Sequence, residues 1–276
     1  MICNGRWYYL GFIFTFLVVL PLAVYAQANT AKLKKYDPTL LITTASVLQA
    51  KSENKEVVII DIRQPEDYEK IRIPGSINMP LFSIKAKRYL ASKSLIIVNE
   101  GYNYSQLESE CIKLRNVGFK VYILQGGLYS WIQKGAPMEG NISARKKLNR
   151  VSPIIFIAEK YYANWIIIDI SAVKKSHDPL PERSLFVPYT GDNDKFLRSI
   201  EESLEKIRID EFTLVLICNE NGKNYDKIEA ILEKSKVKPV FFLEDGKEGL
   251  KNILLTAEKS GLTTGASEEK KGRTCK

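Results

Sequence analysis

Cysteines, and the polar residues that follow one of them, are the groups in this chain with the most chemistry to offer. In "TLVLICNENGKNYDK", residues 213–227, an apolar run ends on Cys218 and passes into a polar loop. A cysteine there can act as a thiolate nucleophile if loop amides and the start of a following helix lower its pKa. It can equally be a small apolar residue that closes a strand. The loop supplies Asn219, Glu220, Asn221, Gly222, Lys223 and Asn224. Gly222 gives the backbone freedom that a tight anion-binding turn needs, and Lys223 adds a positive charge. Glu220 works against both, because a carboxylate close to a thiol disfavours the thiolate. The residues alone leave both readings of Cys218 open.

The other thiols read differently. Cys111 shares a helical stripe with Leu107 and Leu114 and is expected to be packing. Cys275 lies in a Gly-, Ser-, Thr-, Lys- and Glu-rich tail, 257–276, whose flexible span of roughly 25 Å would let it reach Cys218. A free thiol is the default there, with a regulatory disulfide as the alternative. The only histidine is His177, in a polar loop, and there is no CxxC. No metal site and no cofactor are therefore expected. Asp61 and Asp169 each end an apolar run, where a carboxylate is expected to hydrogen-bond the neighbouring loop. Trp131 is expected in the core.

The elements that position these groups come in two copies. "SLIIVN" (94–99) and "TLVLIC" (213–218) lie 119 residues apart, as do "VYILQGG" (121–127) and "VFFLEDG" (240–246). Asp61 and Asp169 lie 108 apart, as do Pro80 and Pro188. One insertion of 11 residues between Pro188 and Thr213 reconciles the two offsets. Within each copy, β-branched runs alternate with helical patterns: "EVVIIDI" as a buried strand, "QPEDYEKI" as a helix opening on proline, "SQLESECIKLRNVGF" as a helix stopped by Gly118. Such alternation predicts an α/β fold of two tandem domains, each a parallel sheet flanked by helices, at 38–140 and 152–256. Function in such sheets gathers at the carboxyl ends of the strands, where Asn99 and Cys218 stand.

Ahead of the domains, residues 1–28 read as a signal peptide or an N-terminal anchor: Arg6, an apolar run from Trp7 to Ala26, then Ala26-Gln27-Ala28 as a small-x-small cleavage pattern. The folded part is expected to be exported, periplasmic or extracellular. The formal net charge of +9 is spread among many acids and bases, with local basic runs in "ARKKLNR" (144–150) and in the tail, read as a solvated linker and a solvated end. No nucleic-acid motif is present, and membrane contact is expected only if the leader is retained.

"DIRQPEDYEKIRIPGSINMP" (61–80) and "LQGGLYSWIQKGAPM" (124–138) resemble the two signatures of the rhodanese-like family. The second copy keeps "IIIDIS", the proline-bearing turn "DPLPERSLFVP" and the strand–loop–helix around Cys218. It departs at the second signature, where Asp245 replaces the first paired glycine and Leu250 the tryptophan. The resemblance implies sulfane-sulfur transfer: a cysteine after the fourth strand carries a persulfide, cradled by loop amides with a basic residue near the loop's end. In the first domain that position falls on Asn99, in the loop Asn99, Glu100, Gly101, Tyr102, Asn103 and Tyr104, with Tyr104 at the basic position. An amide forms no persulfide, and the tyrosines Tyr102 and Tyr104 suit a partner surface instead. In the second domain the resemblance assigns the position to Cys218 and the anion-binding role to Lys223. Two functions follow as expectations: a thiosulfate-type sulfurtransferase acting on a small sulfur-containing anion, or an inactive binding and assembly module with an envelope protein partner. A redox sensor using Cys218 and Cys275 is a third, and the absence of a loop arginine disfavours a phosphatase.

Overall fold

The computed structural model describes residues 36–161, 164–175, 178–207, 213–235, 237 and 239–259. The leader, His177 and Cys275 lie outside them. In chain order the first repeat contains β1 (Leu41–Ile42), α1 (Thr44–Ser52), β2 (Val57–Asp61), α2 (Pro65–Lys70), β3 (Ile71–Arg72), β4 (Ile77–Asn78), β5 (Ser94–Val98), α3 (Tyr104–Asn116), β6 (Lys120–Leu124), α4 (Gly127–Gln133) and β7 (Glu139–Gly140). The second contains β8 (Arg150–Val151), α5 (Pro153–Glu159), β9 (Trp165–Asp169), β10 (Leu185–Phe186), α6 (Asn193–Glu205), β11 (Leu214–Cys218), α7 (Tyr225–Leu232), β12 (Val240–Leu243) and α8 (Gly246–Lys259).

Each repeat builds a five-stranded sheet, in the orders β1-β6-β5-β2-β4 and β8-β12-β11-β9-β10. All pairings within these sheets are parallel. The strands of the second sheet follow from their sequence: β9, β11 and β12 are apolar almost throughout and buried at every position, as parallel strands covered on both faces must be. The fold is thus the α/β tandem arrangement the repeats predict. Between β4 and β5 the first repeat has short 3-10 helices at Leu81–Ala86 and Arg88–Leu90. The second repeat has α6 in that place, capped by the Asp192 side chain accepting from Lys195 N at 3.0 Å and burying Phe196, Ile200 and Leu204.

Three boundaries shift from the sequence reading. Arg150 and Val151 already pair with Phe242 and Leu243, so the second repeat starts before residue 152. The end of "ARKKLNR" is no solvated linker. Asn149 is fully buried, bridging the Tyr129 hydroxyl at 2.9 Å and Glu229 Oε1 at 2.7 Å. Helix α8 continues to Lys259, shortening the tail.

The repeats share a core. One face of the second sheet, with Trp165, Ile167, Leu214, Leu216 and Phe241, belongs to the same apolar cluster as the interior of the first repeat. The opposite face, with Ile166, Ile168, Val215, Ile217 and Phe242, packs with Phe196 of α6 and Ile228 of α7. Phe241 joins the repeats: its ring centroid lies 5.9 Å from Tyr102 and 5.3 Å from Tyr129 of the first repeat, and 5.7 Å from Trp165 of the second. Phe241→Ala is therefore expected to cost about 3–5 kcal/mol in urea unfolding. A loss below about 1 kcal/mol would mean that the repeats are held together elsewhere.

Candidate functional site

The strand ladders decide which residue of each repeat stands at the loop's first position. In the first sheet Asp61 pairs with Val98; in the second Asp169 pairs with Cys218. The flanking bonds repeat the match, Ile62 N donating to Val98 O at 2.9 Å and Ile170 N to Cys218 O at 2.8 Å. Beyond the strand, Leu128 N donates to Asn99 O and Lys247 N to Asn219 O, each at 2.9 Å. Cys218 is thus the counterpart of Val98, and Asn219 the counterpart of Asn99. The equivalence of Asn99 with Cys218 drawn from the sequence is corrected by one residue: the offset at this strand is 120, not 119, and the insertion is 12 residues rather than 11.

That one residue changes the direction of the thiol. Side chains along a strand alternate between faces, and Cys218 lies with Leu214 and Leu216 in the shared core while Val215 and Ile217 take the other face. Cys218 is fully buried, and its Sγ donates to Asn219 O at 3.4 Å. Burial pushes the thiol well above its ordinary pKa, Asp169 adds to the shift, and Lys247 opposes it. Cys111 is likewise fully buried in α3, and burial pushes its thiol up to about 12.

The loop after β11 is folded around Asn219. Its Oδ1 accepts from Asn221 N at 3.2 Å and Gly222 N at 2.6 Å, while Nδ2 donates to Lys223 O at 2.8 Å. Lys223 N donates to Asn221 Oδ1 at 3.1 Å, and Asn219 N to the Tyr225 hydroxyl at 3.1 Å. Amides that could cradle an anion are therefore engaged by carboxamide oxygens of the same loop. Asn224, in the left-handed conformation, precedes α7, and the Lys223 side chain is exposed. Gly246 admits the β12–α8 turn beside this loop: a Cβ there would lie 2.4 Å from Asn219 O. Asp245 holds φ +55° where Gly126 holds +63°, a conformation Asp tolerates better than most residues. An open cleft of about 590 Å³ lies alongside, lined by Arg150, Gly222, Asn224, Tyr225, Asp226, Lys227, Glu244 and Asp245. Cys218 does not line it, and Arg150 is already paired with Asp226 at 2.8 Å and Glu229 at 3.2 Å.

Behind the loop both repeats bury a carboxylate, and each neutralises it differently. In the first, Arg63 Nη2 binds Asp61 Oδ2 at 2.7 Å and Ile71 O at 2.6 Å. Ser171 occupies the place of Arg63, its buried hydroxyl without a hydrogen-bond partner among the described residues. The cation comes instead from Lys247, at the start of α8, where the first repeat has the buried Leu128. Its Nζ lies 2.9 Å from both Asp169 Oδ2 and Asp178 Oδ2, and 3.6 Å from Glu220 Oε2. Burial works against the charge on Lys247, but its bonds to Asp169 and Asp178 outweigh it and hold its pKa above the ordinary value. Glu220 also pairs with Lys175 at 2.6 Å and with Lys251 at 3.6 Å, so its charge is spent within the cluster. As expected, each aspartate also holds its loop, Oδ1 accepting from Arg63 N and from Ser171 N at 3.0 Å. Lys247 escaped the sequence reading, although the paired changes Arg63 to Ser171 and Leu128 to Lys247 between copies were a signal for it.

The first repeat's loop is closed by the second repeat. Glu159, the last residue of α5 and fully buried, accepts from Tyr104 N at 2.8 Å and Ser105 N at 2.7 Å, the first amides of α3. The helix start that could hold an anion thus holds this carboxylate. Burial raises the pKa of Glu159, with these two bonds opposing. Asn99 Nδ2 donates to Tyr102 O, matching the role of Asn219. Tyr104 accepts from Gly126 N at 2.7 Å, and Gly101 approaches so closely that a Cβ would lie 2.9 Å from the Phe241 ring. Tyr102 and Tyr104 are buried, which corrects the expectation of a surface for a separate partner. Glu100, with its pKa raised by burial, and Asn103, in the left-handed conformation before α3, complete the loop. Nothing in the sequence of α5 marked Glu159.

Residues 44–134 match the family of rhodanese-like domains. A sulfurtransferase of Allochromatium vinosum is 24% identical over 98 residues, 35% of this chain and 92% of that protein. An HTH-type transcriptional regulator of Mycobacterium tuberculosis is 27% identical over 105 residues, 37% of this chain and 46% of the regulator; the chain thus spans less than half of that relative. The crystal structure of a thiosulfate sulfurtransferase from Pseudomonas aeruginosa is 15% identical, covering 77% of this chain and 42% of that one, with a TM-score of 0.32. Among the described residues, no group of three His, Cys, Asp or Glu could hold a metal ion, and no helix is long and apolar enough to cross a membrane.

Removing one partner of a buried ion cluster leaves an uncompensated charge, so Lys247→Leu is expected to lower stability by about 3–5 kcal/mol. Adding Ser171→Arg should restore part of that loss by rebuilding the arrangement of the first repeat. A double-mutant cycle by urea denaturation reads the coupling; strictly additive effects would show that Lys247 does not stand in for the missing arginine.

Proposed function

We propose that this protein is a tandem rhodanese-like module that has given up sulfur transfer and serves as a non-catalytic binding or assembly unit. The observation that carries the reading is the ladder equivalence of Asn219 with Asn99: each repeat presents a carboxamide where the resemblance calls for a thiol. A carboxamide can order a loop through one acceptor and two donor hydrogens, but it cannot accept a sulfane sulfur. The inward, fully buried position of Cys218 supports the same reading, as does the closure of the first loop by Glu159. The apolar leader from Trp7 to Ala26 supports a place outside the cytoplasm; an envelope protein as partner is part of the same proposal.

The test is thiosulfate-to-cyanide transfer by the full chain beside Cys218→Ser, with intact mass recorded after donor treatment. The expected result is no turnover and no gain of a sulfur atom in either protein. Turnover lost in Cys218→Ser, with one added sulfur on the wild type alone, would restore the sulfurtransferase reading.

A further inference from the structure

The surface between β4 and β5 of the first repeat carries charge and aromatic area that the fold does not use. Residues 79–93, between these strands, hold four cations, Lys85, Lys87, Arg88 and Lys93, and no acid. The two 3-10 helices in this stretch are fastened to the core by Ile84 and Leu90, 0% and 1% exposed. Beside those anchors, Phe82 is 82% exposed and Tyr89 is 65% exposed, more than any other aromatic side chain among the described residues. Lys85, Lys87 and Lys93 have no ion pair among the described residues. Arg88 is held over the Phe119 ring at 5.4 Å and donates to Val117 O at 3.1 Å, contacts that leave its charge uncancelled. The second repeat makes the contrast. Its α6, in the same place, buries its phenylalanine, Phe196, and carries Asp194, Glu201, Glu202 and Glu205. An exposed, acid-free aromatic patch is therefore not a requirement of the architecture.

We propose that this face of the first repeat docks on an anionic lipid surface, with Phe82 and Tyr89 entering the headgroup region and Lys85, Lys87 and Arg88 meeting lipid phosphates. Exposed aromatics beside lysines and arginines match that interface chemically: the ring partitions between headgroups while long cationic side chains stay at the phosphate level. Where the leader is retained, the sequence leaves only a short tether between its apolar run and the folded part. Between the apolar run that ends at Ala26 and the first described residue, Tyr36, lie nine residues, which span at most about 30 Å when extended. Three of them, Lys32, Lys34 and Lys35, are cationic as well. This inference does not depend on whether the repeats carry out any chemistry.

Hydrogen–deuterium exchange of the full chain in nanodiscs tests it, because the leader is present in every sample and only the lipid charge changes. Peptides covering residues 81–93 are expected to exchange about tenfold more slowly on discs containing phosphatidylglycerol than on phosphatidylcholine discs, with added salt reducing the difference. The combined variant Phe82→Ala, Lys85→Glu, Lys87→Glu alters exposed side chains only and should abolish the protection while leaving exchange in β5 and β11 unchanged. Equal exchange on both lipids would overturn the proposal. So would protection produced by soluble polyglutamate or a single-stranded oligonucleotide and not by phosphatidylglycerol.

Discussion

The parallel ladder between β9 and β11 fixes the direction of every side chain at the end of β11, and most of what this protein can do follows from that register. Five consecutive pairings, from Trp165 with Leu214 to Asp169 with Cys218, leave no freedom to slide. A slip of one residue would turn Leu214, Leu216 and Cys218 out of the shared core and drive Val215 and Ile217 into it. Because both faces of this sheet are buried against different partners, the register is doubly specified. Asn219 must then begin the loop, and its carboxamide is well suited to organise it.

A second constraint is the buried carboxylate at the end of the second strand of each repeat. A charge taken out of water needs a counter-charge within a few ångströms. Where Arg63 became Ser171, the fold could persist because a cation was available from the start of α8, directly behind the same loop. The substitution has consequences for the thiol beside it. Lys247 is held by Asp169 and Asp178, so its charge is largely consumed before it reaches Cys218. The same economy operates between repeats, where Glu159 occupies the start of α3. Glu159 and the core shared around Phe241 make the two repeats one packed body, while the second loop's amides are engaged by its own Asn219 and Asn221.

The α/β class and the two copies were legible because parallel strands buried on both faces leave long apolar runs in the sequence. The roles of Asp61, Asp169, Cys111 and Trp131 were legible for similar reasons of burial and position. The alignment of "SLIIVN" with "TLVLIC" misled, since two apolar runs of similar composition match almost equally well when shifted by one residue. Only hydrogen bonds to a neighbouring strand separate the two registers. Tyr102 and Tyr104 looked like surface because their loop is polar; the repeat that covers them begins some fifty residues later. Long-range partners of that kind, Glu159 on α3 and Phe241 on Tyr102, leave no local trace in sequence.

Position 219, not 218, faces the loop amides. Native-state alkylation across pH, comparing wild type with Asn219→Cys in a Cys218→Val background, tests it most directly. Cys218 is expected to stay unmodified until the protein is denatured, whereas the introduced thiol reacts in the folded state with a pKa below about 8.5, lowered by the Asn221 and Gly222 amides. A reactive Cys218 in the folded wild type, with an inert thiol at position 219, would contradict it.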